Sequence, residues 1–192
     1  MKKIDVGLLL SDSVDICLNG AFLGGGSDYV TGEHTVSACG DCVEWKGKAY
    51  DKLLFNPVDE TCTFTVYNVI IGIDFHWERR ENQTFKGELL FFAENGKVRV
   101  VNRIGVEDYL QSVISSEMSS TSSLQLLKAH AIISRSWLYA QLCRAEVSCV
   151  ETSLCEKCND DEVIRWYARE DHKLFDFCAD DIVSVIKELH AR

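Results

Sequence analysis

The stretch Val106 to Leu142, VEDYLQSVISSEMSSTSSLQLLKAHAIISRSWLYAQL, constrains the chain most, because it reads as two consecutive helices joined by a short serine-rich turn. In the first, Val106, Tyr109, Leu110, Val113 and Ile114 fall at i, i+3, i+4, i+7 and i+8, the stripe of a helix with one buried face. The next position on that stripe is Glu117. A carboxylate that continues an apolar face loses hydration, which favours the protonated form a general acid needs. The alternative is a helix-end Glu turned to solvent or paired with Lys128.

The second helix carries its own start signal, Ser122 followed three residues later by Gln125, as in a capping box. Leu124, Leu126, Leu127, Ala131, Ile132, Ile133, Trp137, Leu138 and Leu142 leave it almost no polar side, so it is expected to be enclosed by protein. Lys128 and Arg135 then share one face, about 10 Å apart at 1.5 Å per residue. Cations on a buried helix need a partner, and Glu117, another structural ion pair or an anionic ligand would serve. His130 lies among Leu126, Leu127 and Ile133 and reads as a core histidine rather than a ligand.

The same stretch resembles the signature of the stage II sporulation protein D family, which also includes amidase enhancers: a (L/V)EDYL helix, an EM pair, then LKA-A---R on a second helix. Many members have Pro two residues before the Glu of the EM pair, where this chain has Ser115. The resemblance implies a lytic transglycosylase that cleaves peptidoglycan glycan strands, with Glu117 as the catalytic acid and Lys128 and Arg135 in support. It equally admits a non-catalytic protein that binds the cell wall and stimulates an amidase, or an inactive, shortened relative. Peptidoglycan and a cell-wall amidase are thus the implied partners.

The first hundred residues read as β-structure. Ile4, Val6, Leu8 and Leu10 alternate with other residues, as do Val14, Ile16 and Leu18. Gly24 to Gly26 mark a turn; Cys39 to Trp45 and Lys48 to Phe55 read as short strands around Lys46-Gly47. Cys62, Phe64 and Val66 keep one parity and Val69, Ile71, Ile73 and Phe75 the other, which predicts a bulge near Asn68. Glu78 to Glu81 is expected to be a solvated loop. Gly87 to Ala93 and Lys97 to Ile104 flank Asn95-Gly96, a strong hairpin signal. His76 beside Trp77 suits a sugar, or closes the core at a strand end.

The fold class expected is therefore α+β: a β-rich part over 1–104, a two-helix core over 105–145, and an irregular Cys/His segment with a shortened tail over 146–192, together one domain. A net charge of −10 argues against nucleic acid as a partner, since phosphate contacts need clustered Lys and Arg. No apolar run is long enough to span a membrane. The start, MKKIDVGLLLSDSVDI, lacks the apolar core of a signal peptide, which by sequence suggests the cytoplasm, whereas the family resembled acts in the cell envelope; the location is left unknown.

Nine cysteines cannot all pair within one chain, and without a leader free thiols or a metal site are the better reading. Cys39 and Cys42 form a C-x-x-C pair outside the β-α-β setting a redox motif requires. Cys155, Cys158, His172 and Cys178 follow C-x2-C-x13-H-x5-C, close to the spacing of a structural zinc site; free thiols and a surface His are the alternative. The resemblance implies zinc on His172 and Cys178. The His-Cys pair that completes the site in relatives is missing, so Cys155 and Cys158 are the expected substitutes.

Overall fold

The computed structural model describes residues 2–26, 28–71, 79–119, 121–150 and 177–178. The architecture is α+β: antiparallel strands fill the N-terminal half and two helices follow. Strands β1 (Lys3–Ser11), β2 (Ser13–Gly24), β3 (Asp28–Cys39), β4 (Cys42–Trp45), β5 (Lys48–Tyr50), β6 (Lys52–Pro57), β7 (Thr63–Ile71), β8 (Arg79–Lys86), β9 (Glu88–Glu94) and β10 (Lys97–Gly105) precede α1 (Val106–Glu117) and α2 (Leu124–Val150); a short β11 (Phe177–Cys178) comes last. Their contacts form two compact units, Met1–Tyr109 with Phe175–Arg192, and Leu110–Leu174.

In the first unit the strands hydrogen-bond in the order β11-β1-β10-β9-β6-β2-β3-β4-β5, with β7 also beside β2 and carrying β8. All pairs are antiparallel except β1 with β11, where Val6 faces Phe177 and Gly7 faces Cys178. The β9–β10 hairpin closes through Asn95 and Gly96 at φ of 52° and 75°, the two left-handed residues of a turn whose twist matches the strands it joins. Parity also places the bulge correctly: the β7–β8 register shifts between Val66 and Val69, and Asn68 takes φ of 57°. At Gly20, φ of 116°, β2 changes partner from β7 to β6. A side chain there would strike the Cys62 Sγ at 2.7 Å.

Alternation sorts the core. Ile16, Leu18, Phe22, Val36, Phe55, Phe64, Val66 and Phe91 are buried, and Phe55 meets both Trp45 and Phe91 edge-on, at 5.2 and 5.9 Å. Such T-shaped contacts set the positive edge of one ring against the negative face of the next. In β9, Leu89, Leu90, Phe91 and Phe92 are all buried, so this strand is covered on both faces; Leu90 and Phe92 form a cluster with Val101, against which Leu54 packs. Arg103 of β10 donates two hydrogen bonds to Asp5 of β1, at 2.7 and 2.8 Å, across a directly opposed pair. Planar guanidinium and carboxylate groups match in such a fork.

Three expectations fail in this unit. Lys48 to Phe55 is not one strand: the chain bends at Asp51, so that β5 pairs with β4 and β6 with β9. Cys39 to Trp45 is not one strand: Gly40, at φ of 63°, and Asp41 make a hairpin turn, and Cys39 faces Cys42 across it. A two-residue turn needs left-handed backbone, and the glycine supplies it. Arg79 to Glu81, expected within a solvated loop, opens β8, pairing with Ile71, Ile70 and Val69. Backbone bonds join β8 to β7, with Thr84 against Thr65 and Phe85 against Phe64; among the described residues β8 pairs with no other strand, so charged side chains suit its edge position.

Candidate active site

Helix α1 leaves β10 without a linker, and Val106 N–H donates to Lys2 O at 3.2 Å. Its acidic first turn, Glu107 and Asp108, complements the positive end of the helix dipole. Val106, Tyr109, Leu110 and Val113 are buried, as their spacing predicts, and Glu117 is the last residue of the helix. Met118 N–H still donates to Ile114 O at 3.0 Å; the chain then turns through Ser119 to Ser122, with a Ser122 N–H to Ser119 O bond of 2.9 Å. The cap of α2 lies one residue later than expected. Ser123 Oγ accepts from Leu126 N–H at 3.3 Å, and Leu127 N–H closes the first turn on Ser123 O at 3.0 Å. Ser123, not Ser122, therefore satisfies the orphan donors of the first turn.

Helix α2 is not enclosed. Leu124, Leu126, Ile132 and Ile133 are exposed, the last two at 66% and 67%. Its sheltered side is a single stripe: His130, Leu138 and Leu142 are buried, with Leu127, Ala131, Ser134 and Gln141 half-buried between them. These positions follow the 3.6-residue period, which a straight helix can bury on one side only. Lys128 and Arg135 lie off the stripe and are exposed.

What the stripe brings to Glu117 is His130. Its Nε2 stands 2.9 Å from Glu117 Oε2, and the two side chains are only 10% and 5% exposed. The other ring nitrogen, Nδ1, is 3.3 Å from Ser134 Oγ, one turn further along α2. A carboxylate and an imidazole withdrawn from water at this separation can hold and pass a proton between fixed positions. Sequence reading took His130 for a core residue. It is buried, but its partner is ionisable, and the signal was the 3.6-residue spacing of His130 with Leu127, Ala131, Ser134 and Leu138.

Of the other residues singled out, Cys155, Cys158, His172, His76 and Trp77 lie outside the described residues, and of Cys178 only the backbone, in β11, is described. Among the described residues no group of three His, Cys, Asp or Glu side chains is placed to hold a metal ion. Cys39 and Cys42 are free thiols. A hydrogen bond from Cys42 Sγ to Asp51 Oδ1, at 3.3 Å, pushes that thiol's pKa up, away from a reactive thiolate.

Sequence reading also missed a polar depression of about 440 Å³ beside the β7 bulge, lined by Asp15, Glu33, Thr35, Tyr67, Asn68 and Asn82 among others. Tyr67 donates to Glu33 at 2.7 Å, which raises the phenol to about 12. Thr35 donates to Asp15, also at 2.7 Å.

A family model described as SpoIID, stage II sporulation protein, matches residues 94–189, which span β10, both helices and the segment after them. No curated protein and no solved structure matches the chain.

Proposed function

This chain belongs to the stage II sporulation protein family, a family of sporulation and the cell wall, and on that footing we propose that it is a peptidoglycan lytic transglycosylase whose catalytic acid is Glu117. The observation that carries the reading is the sheltered Glu117 carboxyl at the end of α1, 2.9 Å from an imidazole. Glu117 gives its proton to the glycosidic oxygen as the bond to the muramic acid C1 breaks. The hydroxymethyl oxygen on C6 of the same sugar then bonds to C1, closing the anhydro ring, and its proton goes to the Glu117 carboxylate. One carboxyl serves both steps and water does not enter, unlike the two-carboxylate arrangement of ordinary glycosidases. Lys128 and Arg135, exposed on α2, suit orienting the glycan more than shielding the acid.

A zinc ion on Cys155, Cys158, His172 and Cys178 belongs to the same reading, as a structural brace for the last segment. Metal analysis of the purified protein is expected to give one zinc per chain, lost in Cys155→Ser.

The apolar side chains exposed along α2, Leu126, Ile132 and Ile133 among them, favour a second reading: a non-catalytic protein that docks on a cell-wall amidase and stimulates it. Incubation with peptidoglycan, with and without its stem peptides, separates the two. Mass spectrometry should find new anhydromuramic ends. Intact glycan strands together with faster amidase turnover would select the second reading instead.

A further inference from the structure

We propose that His130 is a positioning residue for Glu117, held by Ser134 as the neutral tautomer with its proton on Nε2. The inference rests on the transglycosylase reading and assigns a role within that site. The sequence resemblance marks the Glu, Lys and Arg positions and leaves His130 without one.

Two bare lone pairs repel at 2.9 Å, so one of the two atoms, His130 Nε2 or Glu117 Oε2, bears a proton. The two ring nitrogens are coupled: in a neutral imidazole one donates and the other accepts. Ser134 Oγ, 3.3 Å from Nδ1, carries a hydroxyl proton it can donate to that nitrogen. A donation to Nδ1 leaves Nε2 as the proton-bearing atom, 2.9 Å from Oε2. The spacing follows from the helix, because residues four apart lie on one face.

This arrangement fits every stage of the proposed reaction without a change of tautomer. With Nε2–H beside Oε2, the acidic proton of Glu117 resides on Oε1. Once that proton has gone to the glycosidic oxygen, the carboxylate is negative and the Nε2–H contact becomes charge-assisted, hence stronger. It weakens again when Oε1 takes the hydroxymethyl proton. His130 neither gains nor loses a proton in the cycle. Its contribution is largest when Glu117 is ionised, so it lowers the barrier rather than tightening glycan binding.

The test combines ring-nitrogen NMR with kinetics on the full chain. Nitrogen-15 labelled protein should show a His130 ring protonated at Nε2 and bare at Nδ1, and Ser134→Ala should shift it toward a mixture of tautomers. With purified peptidoglycan, His130→Leu should lower kcat about 100-fold or more with KM little changed, the scale on which a lost preorganised donor is felt. His130→Gln, which offers an N–H at similar reach, should stay within about tenfold of the parent. Melting curves confirm that both variants fold; if His130→Leu does not, the comparison of His130→Gln and Ser134→Ala with the parent decides. A ring protonated at Nδ1 alone or at both nitrogens, or a folded His130→Leu with the parent's kcat, overturns the proposal. If the parent protein makes no anhydromuramic ends, the transglycosylase reading has failed, and the NMR spectrum still decides the His130 assignment.

Discussion

In the strands, side chains are sorted by parity: Ile16, Phe64 and Val66 point inward and are buried, while Cys17, Thr63 and Thr65 between them are partly open to solvent. In α2 the sorting is reversed in part. Ile132 and Ile133 stand exposed, whereas an imidazole occupies the sheltered stripe and meets a carboxyl from α1. Local arrangements that break the rules of a stable fold need a compensating reason, and function is the usual one. The contrast teaches that the sheet keeps to the rules of a stable core, whereas the helical pair departs from them where the proposed chemistry would need it.

The contrast can be broken most directly in the core of the sheet. Phe91→Ala removes a fully buried ring that meets Phe55 and should cost about 3–5 kcal/mol in denaturant unfolding. A cost near zero would deny the sheet its role. Within α2 the stripe can be tested against the exposed side. Leu138→Ala should cost about 2–5 kcal/mol and Ile133→Ala no more than about 0.5 kcal/mol. Equal costs would mean that the stripe is misplaced, and His130 with it.

A smaller effect, on pH, sharpens the account of the sheet. His34 packs against Trp45 and Phe55, and burial lowers its pKa, as does nearby Lys46. Its Nε2 is buried with no hydrogen-bond partner among the described residues. The folded-state value thus lies below the about 6.5 of an unfolded His, so as pH falls the unfolded chain takes up the proton first. The stabilisation is present above about pH 6.5 and is lost toward the lower folded value. Acidification from neutral pH should therefore lower the melting temperature of the parent more than that of His34→Leu. Parallel melting curves across that range would remove burial as the cause.

Much of this was legible beforehand, because strand period, turn residues and helix period are local. Asn95-Gly96, the parity change at Asn68 and the α1 stripe needed only neighbouring residues. The start of β8 was not legible: Arg79, Arg80 and Glu81 carry no apolar alternation, and their backbone pairing with Ile71, Ile70 and Val69 leaves no such mark. The failure on α2 had a different source. An excess of apolar residues hid which of them form one stripe, so the helix read as enclosed and His130 as one more core residue. Only the meeting of two helices shows that Glu117 and His130 are neighbours.

The most direct measurement sets Glu117→Gln beside the parent protein, recording the melting curve and the sugar ends released from peptidoglycan in parallel. The account predicts a melting transition close to the parent's with no anhydromuramic product. Undiminished product from a folded Glu117→Gln protein would contradict it.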